Sequence, residues 1–92
     1  MYIMNTYLAE AVGSFVFFTI VLSNKDPIMI AVGLLVAILL ASIASQSHLN
    51  PAISLMAYLK KDISMTEMAY YILSQVVGAY LAIQYVNILK NK

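Results

Sequence analysis

Of the 92 residues in this chain, 63% are hydrophobic and 10% charged, whereas about a quarter of an ordinary soluble domain is charged; a soluble globular fold is excluded and lipid is the expected solvent. Five lysines, no arginine and a formal net charge of +1 are too few basic groups to neutralise a row of phosphates, which excludes nucleic acid as a partner. With no cysteine and a single histidine there is neither a disulfide framework nor a metal cage, and no metal or other cofactor is implied.

All charged residues except Glu10 and Glu67 fall into three short clusters, Lys25-Asp26, Lys60-Lys61-Asp62 and Lys90 with Lys92, set between long apolar runs. These clusters mark loops and ends. The first run, about residues 4–22, holds one charge, Glu10; as a helix rising ~1.5 Å per residue it crosses a ~30 Å hydrocarbon core. No basic side chain precedes it, unlike the n-region of a cleaved signal peptide, so the segment is expected to be retained. Ser23-Asn24-Lys25-Asp26-Pro27 is turn chemistry placed where a helical hairpin needs it. A second apolar run, about 28–44, carries Ala31, Gly33, Ala37, Ala41 and Ser42, small residues that let helix backbones approach closely in lipid. The third, about 66–89, opens on Ser64-Met65-Thr66-Glu67, a candidate capping box.

Between the second and third runs lie residues 45–59, too short to cross a bilayer and too apolar for an ordinary loop. Ser45-Gln46-Ser47-His48-Leu49 reads as non-helical; Asn50 then offers an N-cap and Pro51 an N1 residue for a short helix ending near Leu59. About nine residues give ~14 Å, roughly half the hydrocarbon thickness. A helix starting near the midplane leaves its first N–H groups unpaired, and non-helical backbone at that depth is tolerated only against protein or along a watery cavity. The pattern therefore predicts an all-α, multi-pass integral membrane protein with three transmembrane helices, one re-entrant half-helix, and water beside Asn50.

Three stretches carry a family likeness: Ala9-Glu10-Ala11-Val12-Gly13-Ser14-Phe15, Ser47-His48-Leu49-Asn50-Pro51-Ala52-Ile53-Ser54 and Tyr71-Ile72-Leu73-Ser74-Gln75-Val76-Val77-Gly78-Ala79. In that order they resemble the first-helix, first buried-loop and third-helix patterns of the aquaporin and aquaglyceroporin (major intrinsic protein) family. The resemblance covers nearly the whole chain, but only one of the two inverted repeats that a member normally carries. It is to the first repeat, because Ile53 directly follows Asn50-Pro51-Ala52 where the second repeat typically has a filter arginine. The resemblance implies that residues 1–92 form one half-repeat, half of an aquaporin fold, completed by an inverted second copy. It implies a passive channel for water and small neutral solutes such as glycerol. An enzyme is not expected, since no nucleophile–base pair, metal cluster or phosphate-binding glycine loop is present in the sequence.

By the same resemblance, Asn50, Pro51, Ala52 and Ile53 border the pore, and backbone carbonyls of about Gln46, Ser47, His48 and Leu49 line its approach as acceptors. Asn50 caps its own helix with the amide carbonyl and offers the NH2 group to a passing solute, with the positive helix end behind it. Glu10 is costly inside a span and so functional by default; the resemblance makes it a buttress accepting hydrogen bonds from the buried loop. Gln75 reads as a helix–helix hydrogen bonder, His48 as a loop-orienting residue, and Gly13, Gly33 and Gly78 as sites of close helix crossing. Tyr70, Tyr71, Tyr80 and Tyr85 fit an interfacial belt and internal packing equally well.

Given this topology, Lys60, Lys61 and the terminal amine share one membrane face, and Lys25, Lys90 and Lys92 the other. Two lysines against three give the positive-inside rule almost no bias to act on. Antiparallel copies meeting about a two-fold axis in the membrane plane set two Asn50 residues face to face, and four such pairs, eight chains, correspond to the family's tetramer. Without arginine, both mouths lack the usual filter cation, and Ile53 tilts the expectation toward glycerol-like solutes beside water. Two other readings stand beside this one. A half-channel subunit or regulator pairing with another aquaporin-like chain predicts copurification of a second polypeptide. A small pore-forming or export protein of another class, a holin or a dual-topology multidrug exporter, predicts ion leakage or drug–proton exchange.

Overall fold

The computed structural model describes the backbone of residues 2–91, with side chains from Thr6 onward. Among the described residues four helices follow one another: α1 (Tyr2–Ser23), α2 (Pro27–Ala41), α3 (Pro51–Leu59) and α4 (Met65–Lys90). The stretches Thr6–Ser23 of α1 and Met65–Lys90 of α4 are long and apolar enough to cross a membrane. At 15 residues α2 is apolar but shorter, and α3 has nine; at ~1.5 Å per residue they measure about 22 and 14 Å.

Local chemistry sets the helix starts. Asp26 accepts the Ile28 N–H at 3.0 Å, with Pro27 in the first helical turn, where its missing N–H costs nothing. Asn50 does the same for α3, its Oδ1 accepting the Ala52 N–H at 2.8 Å behind Pro51. A reciprocal box opens α4: Ser64 Oγ accepts the Glu67 N–H at 3.1 Å and Glu67 Oε1 accepts the Ser64 N–H at 2.8 Å. The second apolar run, expected to continue to about residue 44, is helical only to Ala41. Beyond it the bonds tighten to three-residue turns, Ile43 N–H to Leu40 O and Ala44 N–H to Ala41 O, and Ser42 Oγ donates back to Leu39 O. Serine hydroxyls competing for backbone partners loosen the ladder at this point.

The long α1 is the centre of the bundle, packing on both α2 and α4, while α3 packs on α4. Small residues make these contacts possible. A Cβ at Gly78 would come within 2.7 Å of Ala11 O and 2.9 Å of Phe15 N, so α4 lies almost on the α1 backbone. A Cβ at Gly13 would meet Ala41 Cβ at 2.9 Å, and one at Gly33 the Ile20 side chain at 2.7 Å, both on the α1–α2 seam.

Burial is inverted relative to a water-soluble domain. The largest fully buried side chains are Gln75, Glu10, Ser14 and Ser54, whereas Ile43, Leu59 and Ile28 are 82%, 67% and 68% exposed. In water such a surface would leave the hydrophobic effect unused, and polar interiors with apolar exteriors suit a lipid solvent. Two small apolar clusters flank the polar interior. Ala37, Ala41 and Leu49 join Val16 and Phe17 on one side, and Ala57, Ile63 and Tyr71 join Tyr7, Tyr58 and Met68 on the other.

Candidate functional site

The residues between α2 and α3 are held by a buried polar network centred on Glu10. Its carboxylate is fully buried and faces donors only: Ser45 Oγ gives a hydrogen bond to Oε1 at 3.0 Å, while the Leu49 N–H and Gln75 Nε2 (3.2 Å) both give to Oε2. An ionised carboxylate is an acceptor without donors, so it suits this set, and hydrogen bonds to a charged acceptor are the strong kind. α1 thereby fastens a backbone group of the loop and a side chain of α4 through one residue.

The network continues through Ser54 of α3. Its hydroxyl accepts the second Gln75 Nε2 hydrogen at 3.0 Å and lies 2.8 Å from His48 Nδ1. The other ring nitrogen, Nε2, is 3.4 Å from Gln46 Oε1. Since Gln46 Oε1 can only accept, the tautomer that satisfies all partners carries its hydrogen on Nε2, with Ser54 donating to Nδ1. Tyr71 stacks on the His48 ring, centroids 4.0 Å apart at 21°, and is itself edge-on to Tyr7 at 5.4 Å. Gln75 spends both amide hydrogens on Glu10 and Ser54, and its Oε1 has no partner among the described residues. Turning the amide over would set that oxygen against the Glu10 carboxylate, which fixes the orientation.

Two residues of the loop take left-handed backbone, Ser47 at φ 55° and Leu49 at φ 56°. For side chains other than glycine this region costs of order 1–3 kcal/mol each and persists only where the surroundings impose it. Here they do. The Leu49 N–H is committed to Glu10 and its side chain is buried against Ala37 and Ala41, while Ser47 is tied through its N–H to Ser45 Oγ at 3.0 Å and through its own Oγ to Ile38 O at 2.8 Å.

On the far side of this anchored loop, Asn50, Pro51, Ala52 and Ile53 form an exposed edge, as does Gln46. Asn50 Oδ1 is used by the cap, leaving Nδ2 without an acceptor among the described residues. The structure thus separates the site residues singled out in the sequence. Glu10, His48, Leu49 and Gln75 meet in the buried network with Gln46 at its margin, and Asn50 to Ile53 lie outside it on an open edge. Gly13 and Gly78 take no part in the hydrogen bonds; they set the spacing of α1 against α2 and α4.

The sequence model of the family described as Major intrinsic protein matches residues 1–92. The chain belongs to the major intrinsic protein family. That family consists of membrane channels for water and small solutes, not of enzymes, and this major intrinsic protein is accordingly an integral membrane protein. No curated protein and no solved structure matches the chain. Three members of the channel's network carried no assigned role in the sequence: Ser45, Ser54 and Tyr71. A signal for two of them was present. Tyr71, Gln75, Gly78 and Ala82 recur at helical spacing and form the buried face of α4, and Ser54 with Ala57 is the small pair buried on α3 between the larger Ile53, Leu55 and Met56. Nothing local marks Ser45, which is reached by Glu10 across 35 residues. Of the four tyrosines weighed in the sequence, Tyr70, Tyr80 and Tyr85 are 50%, 62% and 44% exposed, and Tyr71 alone among these four is buried.

Proposed function

We propose that this chain is one half of a passive pore for water and small neutral solutes such as glycerol, with α1, α2 and α4 as spans and α3 as a re-entrant half-helix, and that an inverted second copy completes it. The observation that carries the proposal is the state of Asn50. Its carbonyl is consumed in capping a nine-residue helix, its amide donor is uncommitted, and the loop behind it is anchored by a buried carboxylate. A solute oxygen passing this edge receives a hydrogen bond from a fixed donor, backed by the positive end of α3. Water and polyols lose little on entering, since the donor replaces one they leave behind. A cation meets positive potential with no charged acceptor on the edge, and aquaporin-type pores are the standing example of that exclusion by half-helix ends.

In a single chain this edge opens sideways. A carboxamide facing lipid is costly because nothing there satisfies it, so a protein surface carrying a complementary edge covers it. Near-balance of lysines between the two faces permits insertion in both orientations, and an inverted copy brings a second Asn50 from the opposite side about an in-plane two-fold axis. Four such pairs make the eight-chain assembly that corresponds to the family's tetramer. Ile53, 40% exposed directly after Asn50-Pro51-Ala52, makes the constriction apolar, which favours glycerol-like solutes alongside water.

Stopped-flow swelling of liposomes containing the purified chain alone tests this. Water and glycerol permeability above the lipid background is expected, with loss on Asn50→Asp; background rates throughout would remove the self-sufficient pore and leave a half-channel that needs another partner. Orientation is read separately by placing a cysteine at Asn91 in this cysteine-free chain. Labelling from both sides of intact vesicles is expected, and labelling from one side alone contradicts inversion.

A further inference from the structure

A second polar concavity lies at the end of the bundle where α4 begins. It encloses about 400 Å³, and its lining includes Tyr7 of α1, Ser45 and Gln46 of the loop, Asp62 of the α3–α4 turn, and Glu67 and Tyr71 of α4. None of Asn50, Pro51, Ala52 and Ile53 lines it, and Gln46 is the one residue it shares with the exposed edge. Its volume lies in the range of pockets that hold small molecules, roughly 300–1,000 Å³, and far exceeds the ~30 Å³ occupied by one water.

The charged groups of the lining are of one sign, and its neutral polar groups can all accept as well as donate. Two carboxylates, two phenols, the hydroxyls of Thr6 and Ser45 and a carboxamide line the space beside Ala44 and Ile63, and no lysine or histidine belongs to it. Only one oxygen of each carboxylate is engaged: Glu67 Oε1 caps Ser64, and Asp62 Oδ2 lies 3.5 Å from Lys60 Nζ in an exposed pair of the kind that holds weakly. No group of three or more His, Cys, Asp or Glu side chains able to hold a metal occurs among the described residues. The space is also much larger than a bare ion needs. A ligand that answers this lining is cationic, carries several N–H donors, and has a small organic body. We propose that the cavity binds a primary ammonium group, with Asp62 and Glu67 taking charge-assisted hydrogen bonds and the Ser45 and Gln46 oxygens taking what remains.

Free alkylamines and aminophospholipid headgroups share this chemistry, and the turn bearing Lys60, Lys61 and Asp62 belongs at headgroup level, where both are present. Occupancy bears on the loop behind Asn50, because Ser45 holds Glu10 at 3.0 Å and Gln46 lies 3.4 Å from His48. The cavity therefore adjoins the permeation edge without belonging to it, and its occupancy is measured without reference to permeation.

The test is calorimetric titration of ethanolammonium into the whole chain in phosphatidylcholine nanodiscs. Saturable binding is expected, with ethylene glycol and tetramethylammonium failing to bind, the first for want of charge and the second for want of N–H donors. Glu67→Gln keeps the cap, since its amide oxygen still accepts the Ser64 N–H, yet lowers affinity by about tenfold or more. Lys60→Ala frees Asp62 and tightens binding by about two- to fivefold, a gain that a misfolded variant does not produce. Adding phosphatidylethanolamine to the disc assigns the source: competition identifies the headgroup as occupant, its absence the free amine, and both retain an ammonium site. Equal affinity for tetramethylammonium, no heat with ethanolammonium in either bilayer, or unchanged binding in Glu67→Gln overturns the proposal.

Discussion

Replacing Glu10 separates the carboxylate's two contributions, as an acceptor and as a charge. In Glu10→Ala the Leu49 N–H and one Gln75 amide hydrogen lose their acceptor inside the bundle; each buried donor left unpaired costs ~1–3 kcal/mol, together about 2–6. Ser45 contributes little to this loss, since its hydroxyl rotates to find another acceptor. In Glu10→Gln one oxygen remains, and it belongs on the Leu49 and Gln75 side. The new NH2 group faces Ser45 Oγ, which reverses to accept. The count of bonds is kept and only their charge assistance is lost, about 1 kcal/mol for each of three bonds, about 3 in all and below the middle of the alanine range. The expected order of stability is therefore wild type, then Gln, then Ala, and for a domain stable by ~5–15 kcal/mol the last step is a large fraction of the whole. Permeability follows the same order, because the left-handed Leu49 that leads into Asn50 is held by this one acceptor. Denaturant unfolding in detergent read by circular dichroism, paired with stopped-flow swelling of proteoliposomes, measures both. An alanine variant within ~0.5 kcal/mol of wild type, the range of an ordinary surface change, or a glutamine variant worse than alanine, refutes the reasoning.

Substitutions at four further positions probe separate parts. Asn50→Ala removes the cap of α3 and is expected to cost about 1 kcal/mol, whereas Asn50→Asp retains an oxygen for the Ala52 N–H and so keeps stability while abolishing solute flux; equal melting losses in the two contradict the division of the amide's labour. Gly78→Ala forces a methyl against backbone atoms of Ala11 and Phe15, an overpacking cost of about 1–3 kcal/mol. In Gly33→Ala the methyl comes within 2.7 Å of Cγ2 and 3.1 Å of Cβ of Ile20, a β-branched side chain with little freedom in a helix. Overpacking of about 1–3 kcal/mol is offset only in part by the ~1 kcal/mol of helix propensity regained, and the melting temperature is expected to fall, though by less than in Gly78→Ala. Ser64→Ala breaks the capping box at the start of α4 and lowers stability by about 1 kcal/mol without altering flux through correctly folded protein; a large permeability loss at equal folded fraction assigns that turn a role in transport.

Much of the helical layout was legible because its signals are local. Asp26-Pro27, Asn50-Pro51 and Ser64 with Glu67 each satisfy orphan N–H groups within three residues of themselves, so a reader needs no knowledge of the rest of the chain to place those starts. The end of α2 was less legible, since hydrophobicity continues past Ala41 while the backbone does not; there the competing serine hydroxyls decide. Tyr71 was ambiguous for another reason: a tyrosine on an amphipathic surface and one stacked on a histidine look the same in sequence.

By itself the sequence determined the solvent, the number and rough extent of the helices, and the family likeness, because composition, capping and apolar run length act over a few neighbouring residues. Tertiary structure alone decided which polar groups meet. Glu10 reaches its partners Ser45, Leu49 and Gln75 across 35, 39 and 65 positions, and Ser54 reaches Gln75 across 21. Contacts at such separations exist only once Gly13 and Gly78 let α1 lie close against both neighbours, and no local rule records how near two helices come.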